Sequence, residues 1–330
     1  MNKNSIYSAN EYSVCAIIVT YNRKYYLKHL INGLLRQTRP LEAILIYDNN
    51  STDNTNLMLM DLKLIDSDHF NVINKKIIND IQIMYYRSKC NEGGSGGFHY
   101  GIKMISDMQF DYLWCMDDDV CPDEGCLEEL LLHISPETQL CLPSRTDERF
   151  IDHAITYVNM SNPFKYNTRM RKTRVCNDDI EGNVIEIKDM PFEGPLISNN
   201  LVKEIGLPKK ELFIIFDDTE YAFRAKEKTK LLYCKKAILH KQIIPVKDPT
   251  YLAGWKEYYG WRNQIWFDRT HGENFFVKIF RPLFQVLHIY LRTIAKGKWS
   301  DFKVINRAYI DGISNNLGIT IKPGTQSKMF

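Results

Sequence analysis

Four short apolar runs, each ending in polar residues and with helical patterns between them, constrain the fold of this chain more than any other feature. Residues 14–20 form a β-branched run that leads through Tyr21-Asn22-Arg23 into a segment carrying Leu27, Leu30, Ile31, Leu34 and Leu35 on one side, the spacing of a helix face. Residues 43–47, 81–86 and 112–116 read as three more strands, and a helix is expected from residue 98 to about 107. Strands alternating with helices predict an α/β fold, a Rossmann-like and mostly parallel sheet flanked by helices, which binds ligands beyond the carboxyl ends of its strands. Asn22-Arg23, Asp48, Gly93-Gly94 and the triplet Asp117-Asp118-Asp119 all fall at that edge.

Acidic turns are common and solvated, so the triplet alone is weak evidence of a site. Its position after a buried strand gives it chemistry: carboxylates are hard ligands suited to Mn2+ or Mg2+. Asp117 and Asp119, alternate residues on an extended segment, face the same side, whereas Asp118 points elsewhere. The glycine-rich stretch 91–97 reads as a loop whose amides approach a ligand and which opens the following helix toward phosphate or sugar oxygens. A flexible linker is the alternative, but linkers rarely interrupt a βαβ unit. The spacing is neither GxGxxG nor a P-loop.

With 330 residues, 43 basic against 40 acidic, the net charge is +3. That is too small for a chain whose main task is neutralising nucleic-acid phosphates, so no nucleic-acid partner is expected. Eight cysteines never form a CxxC pair and read as reduced core thiols. Residues 1–13 lack an apolar signal core, and no run reaches the length of a spanning helix, so a cytoplasmic location is expected.

Residues 143–189 show no clear period and read as irregular strands and loops lining an acceptor side. A short helix is expected over 199–205, and the apolar run 212–216 leads into a second acidic cluster, Asp217-Asp218. Beyond residue 251 the chain turns aromatic and basic, with helices broken near Gly272 and Pro282. Within 275–298, apolar residues at helical spacing run beside Lys278, Arg281, Arg292, Lys296 and Lys298, either a membrane-surface face or a solvated basic face over a core helix.

The motifs Ile17-Ile18-Val19-Thr20-Tyr21-Asn22-Arg23 and Tyr47-Asp48-Asn49-Asn50-Ser51-Thr52-Asp53, followed by the aspartate triplet, resemble the family 2 inverting glycosyltransferases. Asn91-Glu92-Gly93-Gly94-Ser95-Gly96-Gly97-Phe98 with Met116-Asp117-Asp118-Asp119 most resembles the bacterial galactofuranosyltransferases, with rhamnosyltransferases as near relatives. The resemblance implies a GT-A fold over residues 1–245 and a helical, aromatic and basic region, 246–330, packed on it. It implies a UDP-galactofuranose donor, with dTDP-rhamnose as the alternative.

Carried over by motif, the donor would be bound by Thr20, Tyr21, Arg23, Asp48, Asn91, Gly93, Gly94, Asp117 and Asp118. Asp117, Asp119 and His240 would hold the cation, although a lone histidine is more often structural. Phe216-Asp217-Asp218-Thr219-Glu220-Tyr221 resembles the family's catalytic motif, which makes Asp218 the general base and puts Asp217 on the acceptor side. Trp255 and Trp261 offer a sugar-stacking platform for the acceptor, with core packing the commoner use of such residues. Tyr258-Tyr259-Gly260-Trp261-Arg262-Asn263 resembles a C-terminal motif of related transferases.

The sequence departs from the family at Glu193-Gly194-Pro195, where many members carry an aromatic acceptor-binding segment. The implied acceptor is a glycan or lipid-linked oligosaccharide of a bacterial surface polysaccharide such as a capsule or O-antigen. Peripheral contact with the anionic inner face of the cell membrane and a homo-oligomer are further expectations. A sugar-phosphate nucleotidyltransferase would place a glycine-rich basic loop after the first strand, and Thr20-Tyr21-Asn22-Arg23 has no glycine. A non-catalytic sugar-nucleotide-binding subunit would need neither Asp218 nor His240.

Overall fold

A computed structural model of the chain describes residues 12–244 and 253–326. Most of the polar N-terminal segment, and the boundary expected at 245/246, lie outside the described residues. The predicted strands appear as β1 (Val14–Thr20), followed by α1 (Lys24–Leu35), and β2 (Ala43–Asp48), followed by α2 (Thr55–Asp61). Next come β3 (Ile73–Ile78), β4 (Ile81–Arg87), α3 (Gly93–Ser106), β5 (Tyr112–Asp117), β6 (Val120–Pro122) and α4 (Cys126–Leu131). The strand β3 was not expected; its alternation of half-buried and exposed residues is that of an antiparallel edge, paired only to β4.

The weakly patterned middle contains β7 (Leu140–Ser144), a hairpin of β8 (His153–Val158) and β9 (Lys172–Cys176) with α5 (Thr168–Arg171) in its turn, and β10 (Val184–Ile187). The chain then forms β11 (Leu196–Ser198), α6 (Asn199–Ile205), α7 (Asp217–Ala225) and β12 (Leu231–Lys241). It ends in α8 (Trp255–His271), α9 (Phe275–Ala295) and α10 (Asp301–Ile313).

The main sheet runs β10-β12-β7-β11-β5-β1-β2-β4-β3, with β6 on β12. Its heart, β5-β1-β2-β4, is parallel, and every side chain of β1 and β2 is buried, as expected for strands covered on both faces. On one side Leu27, Leu30 and Leu34 of α1 pack with Leu127 and Leu130 of α4; on the other, Phe98, Ile102 and Ile105 of α3 pack with Tyr221 of α7. A Cβ at Gly97 would meet Val19 at 2.4 Å and one at Gly101 would meet Ile17 at 2.9 Å, so these glycines let α3 lie directly on β1.

The apolar run 212–216 forms a bent loop: a 3-10 turn ends at Leu212, and Phe213, Ile215 and Phe216 take positive φ of 69°, 65° and 75°. One expectation is corrected. Pro282 does not end a helix but lies buried inside the 21 residues of α9. Gly272 does separate α8 from α9.

Candidate active site

The turn after β1 is tied to the triplet by Asp118, which is only 3% exposed and faces inward. Its carboxylate accepts hydrogen bonds from the Thr20 hydroxyl at 2.8 Å, the Tyr21 amide at 3.1 Å and Arg23 Nη1 at 2.9 Å. Arg23 also reaches Asp119, at 3.1 Å. Asp118 is thus the buckle of this edge, while Asp117 lines a cavity.

Asp48 is fully buried and internally satisfied, accepting from the Ser51 amide and the Tyr85 hydroxyl, both at 2.7 Å. It shapes the turn after β2 and is not among the residues that line the cavity of Asp117 and Asp218. Asn49, which sequence reading passed over, bridges instead to the glycine-rich segment: its Oδ1 accepts from the Glu92 amide at 3.0 Å and its Nδ2 donates to the Gly93 carbonyl at 2.7 Å.

That segment is not an open loop. Asn91 accepts from the Gly93 amide in a tight turn, and α3 begins at Gly93, so Gly94 to Gly97 are already helical. Gly93 alone has a left-handed backbone, with φ +73°, and a Cβ there would lie 2.1 Å from the Phe213 carbonyl oxygen. The Ser95 amide donates to that same oxygen at 3.0 Å. The first turn of α3 and the loop before α7 are thereby locked together.

The consequence is a cavity of about 500 Å³ lined by Gly94 and Asp117 on one side and by Asp217, Asp218 and Thr219 on the other, with Lys172, Arg174 and Glu193 completing it. A second hollow of about 270 Å³ opens from Asp218 and Thr219 toward Arg145, Asp152 and His153. Residues 143–189 therefore wall the space beside Asp218.

Burial holds Asp117 well above the usual carboxylate range, reinforced by the charges of Glu193, Asp119 and Asp118 and opposed by Arg23. Burial likewise raises Asp217 and Asp218, and the charges of Asp217 and Asp189 push Asp218 further, against a smaller pull from Lys172. Glu193 is kept below its ordinary value because Arg145 at 2.8 Å and Lys241 at 2.6 Å outweigh its burial. Sequence reading marked Glu193 only as a departure; the contacts of Gly194, whose φ is +93° and whose Cβ would collide with Pro143 and Leu239, fix it beside Asp117.

Two acidic side chains at the strand end, one of them raised by neighbouring negative charge, fit a hard divalent cation shared with substrate oxygens. His240 does not fit that set. Its Nε2 lies 2.8 Å from Asp123 and its Nδ1 3.0 Å from Asp147, so both ring nitrogens are engaged by carboxylates. Among the described residues, the group of Cys, His and acidic donors that comes together within 4.8 Å is Glu129, His133 and Cys234, which shares no residue with the cavity.

Trp255 packs against Phe213 and Tyr259 and lines neither hollow, which corrects its expected acceptor contact. Trp261 lines a separate groove of about 420 Å³ with Tyr166, Thr168, Gln285 and His288. The neighbours Arg262 and Asn263 do more: both are fully buried and donate to carbonyls of 211–215, the segment that aims α7.

A mostly parallel sheet with an acidic edge, facing a second acidic helix start across a cavity, is the GT-A arrangement. The model of the family described as "Glycosyl transferase family 2" matches residues 15–185, a little over half of the chain, and the chain belongs to that family. Galactofuranosyltransferase GlfT1 of Mycolicibacterium smegmatis is 21% identical over 207 residues, covering 63% of each chain, so the match spans less than two thirds of that relative.

Among solved structures, GalNAc-T7 with UDP, GalNAc and Mn2+ superposes at a TM-score of 0.55, with 14% identity over 84% of this chain and 55% of that one. S. aureus TarS 1-349 in complex with UDP-GlcNAc superposes at 0.52, with 13% identity over 91% and 81%. These likenesses bear on the fold.

Proposed function

We propose that this chain is an inverting, cation-assisted glycosyltransferase that moves galactofuranose from UDP-galactofuranose onto a hydroxyl of a bacterial surface glycan. The observation that carries the reading is that Asp117 and Asp218, far apart in the chain, line one cavity. The sugar assignment rests on the glycine-rich and triplet motifs together with the likeness to a galactofuranosyltransferase.

Asp117 and Asp119 would hold Mn2+ or Mg2+, which when bound neutralises diphosphate charge and so makes UDP a better leaving group. Thr20, Tyr21 and Arg23 are fixed by Asp118 at the donor edge, and Lys172 and Arg174 bring positive charge to the same cavity. Asp218 accepts the proton of the acceptor hydroxyl while that oxygen bonds to the anomeric carbon; the bond from that carbon to UDP breaks on the opposite face, and the configuration inverts. A positioned base of this kind contributes on the order of 10² to 10⁴ fold in rate. Its raised proton affinity, from burial and from Asp217, suits a group that must take up a proton near neutral pH.

The test is a panel of nucleotide sugars scored for nucleotide release with and without Mn2+, in a bacterial glycan acceptor pool. Stimulation by UDP-galactofuranose and not by dTDP-rhamnose supports the donor. Release from the rhamnose donor alone overturns the sugar, and release from none, with UDP binding intact, overturns catalysis.

A further inference from the structure

Away from the cavity, α4 and β12 bring together a second set of donor atoms whose chemistry is not that of the aspartate triplet. Glu129 lies on α4, His133 stands four residues further on, just past the end of that helix, and Cys234 lies on β12. A carboxylate oxygen, an imidazole nitrogen and the Cys234 sulfur all fall within 4.8 Å of one another. None of the three residues lines either hollow beside Asp218.

A single side-chain amide holds the three atoms in place. Asn183 Nδ2 donates to His133 Nε2 at 2.9 Å and to Glu129 Oε2 at 3.3 Å, and its Oδ1 accepts from the Cys234 thiol at 3.8 Å. Asn183 is itself tied to β12: its carbonyl accepts from the Lys235 amide at 2.7 Å and its Oδ1 from the Lys236 amide at 2.9 Å. Those contacts fall where the pairing of β12 with β7 shifts register, between Cys234 and Ile238. Irregularities of this kind re-aim side chains, and here the Cys234 sulfur meets α4, 4.0 Å from the Glu129 carbonyl oxygen.

The donor types select the ion. A thiolate, an imidazole and a carboxylate together suit Zn2+, whereas Mg2+ and Ca2+ prefer oxygen ligands alone. Cys234 is fully buried, and buried Cys126 and Cys141 belong to the same core cluster. Glu129 and His133 are only half-buried, which leaves a cation a path from solvent.

We propose that Glu129, His133 and Cys234 bind a zinc ion that staples α4 to β12, at a site separate from the cation position of the donor cavity. On binding, the Cys234 thiol gives its proton to solvent, the three donor atoms turn from Asn183 to the metal, and a water takes the fourth position. The strand so braced runs on to Lys241, whose ammonium meets Glu193 of the cavity wall at 2.6 Å.

The experiment uses the reduced full chain, stripped with chelator and then offered Zn2+ or Co2+ alone. Wild type should take up Zn2+ that Asp119→Asn leaves in place, its melting temperature should rise with the ion, and its Co2+ form should show thiolate-to-cobalt charge-transfer absorption. Cys234→Ser should abolish that absorption, and Cys234→Ser and His133→Gln should each weaken Zn2+ binding by at least about 10² fold. His133→Gln can keep a hydrogen bond to Asn183, so it should melt like the metal-free wild type. Stripped wild type that takes up no Zn2+ overturns the proposal and reduces the cluster to a hydrogen-bonded knot. So does Zn2+ that is lost in Asp119→Asn but kept in Cys234→Ser, which would assign the ion to the donor cavity. None of these readouts needs UDP or turnover, so either failure leaves the transferase reading standing.

Discussion

The side-chain amide of Asn263 donates to the carbonyl oxygen of Ile215 at 2.8 Å, three residues before Asp218. The same nitrogen serves the carbonyls of Leu212 and Ile214 at 2.9 and 2.8 Å, and Arg262 adds a fourth contact to Leu212 at 3.0 Å. A loop with three non-glycine residues at positive φ is costly, on the order of 1–3 kcal/mol for each strained residue, and persists only when its surroundings over-determine it. The C-terminal helix α8 supplies that restraint, and so helps to aim the acidic start of α7.

Asn263→Ala removes the donor and leaves buried carbonyls unpaired, at a cost of about 1–3 kcal/mol. Because the loop aims Asp218 and not the donor edge, kcat should fall by about tenfold or more with UDP affinity little changed. Equal losses in both would assign Asn263 to general stability. Steady-state kinetics and calorimetry separate the two.

Asp218→Asn should lower turnover by about 10² to 10⁴ fold and leave UDP binding intact. Since burial and Asp217 raise the proton affinity of Asp218, the base is lost as pH falls through a value above the ordinary carboxylate range. The acid limb of kcat/KM should therefore begin closer to neutrality than a solvent-exposed aspartate allows. A profile flat down to the usual carboxylate range would remove Asp218 from the role.

Burial opposes charging of His240, but hydrogen bonds to Asp147 and Asp123 outweigh it and raise its proton affinity. A group whose folded value is raised contributes stability that is full below about pH 6.5, the ordinary histidine value, and is lost as pH rises through the folded value. Melting of the wild type should thus fall across that window, and His240→Gln should flatten the dependence. Cation dependence of activity should survive the substitution, because neither ring nitrogen is free; its disappearance would restore His240 as a ligand.

Gly93→Ala should destabilise the chain by at least about 1–3 kcal/mol from backbone conformation alone, before the collision with Phe213 is counted. Gly94→Ala meets nothing within 4 Å and lies within α3, so it should stabilise by about 0.5–1 kcal/mol. Its methyl group enters the cavity, and donor affinity should drop. Denaturant melts of both variants, read beside UDP titrations, check the contrast.

Much of the fold could be read from the sequence because it is written in local periods. β1 begins and ends where the β-branched run does, and the helical spacing of Leu27, Leu30 and Leu34 is the face that α1 buries. The edge strand β3 was missed because an alternating, half-solvated strand between polar turns has little apolar signal. The shape of the run 212–216 was not legible either, because the carbonyl contacts that bend it come from residues some fifty positions downstream.

At the site, residue type announced the chemistry and not the partner. Asp48 and Asp118 carry the same group as Asp117, yet hydrogen bonds from Tyr85 and Ser51 bury one, and Thr20 and Arg23 turn the other inward. Glu193 carried no local signal, since only the packing of Gly194 against Pro143 and Leu239 brings it to Asp117.

The sequence by itself determined the parallel strands β1, β2, β4 and β5, the helices between them and the edge at which polar residues gather, because side-chain periodicity and turn chemistry act between near neighbours. Tertiary structure alone decided which carboxylates face the cavity, which histidine nitrogens are spent on hydrogen bonds and which side of α9 meets solvent. Those outcomes depend on burial and on contacts between residues distant in the chain, and neither quantity exists until the chain has closed on itself.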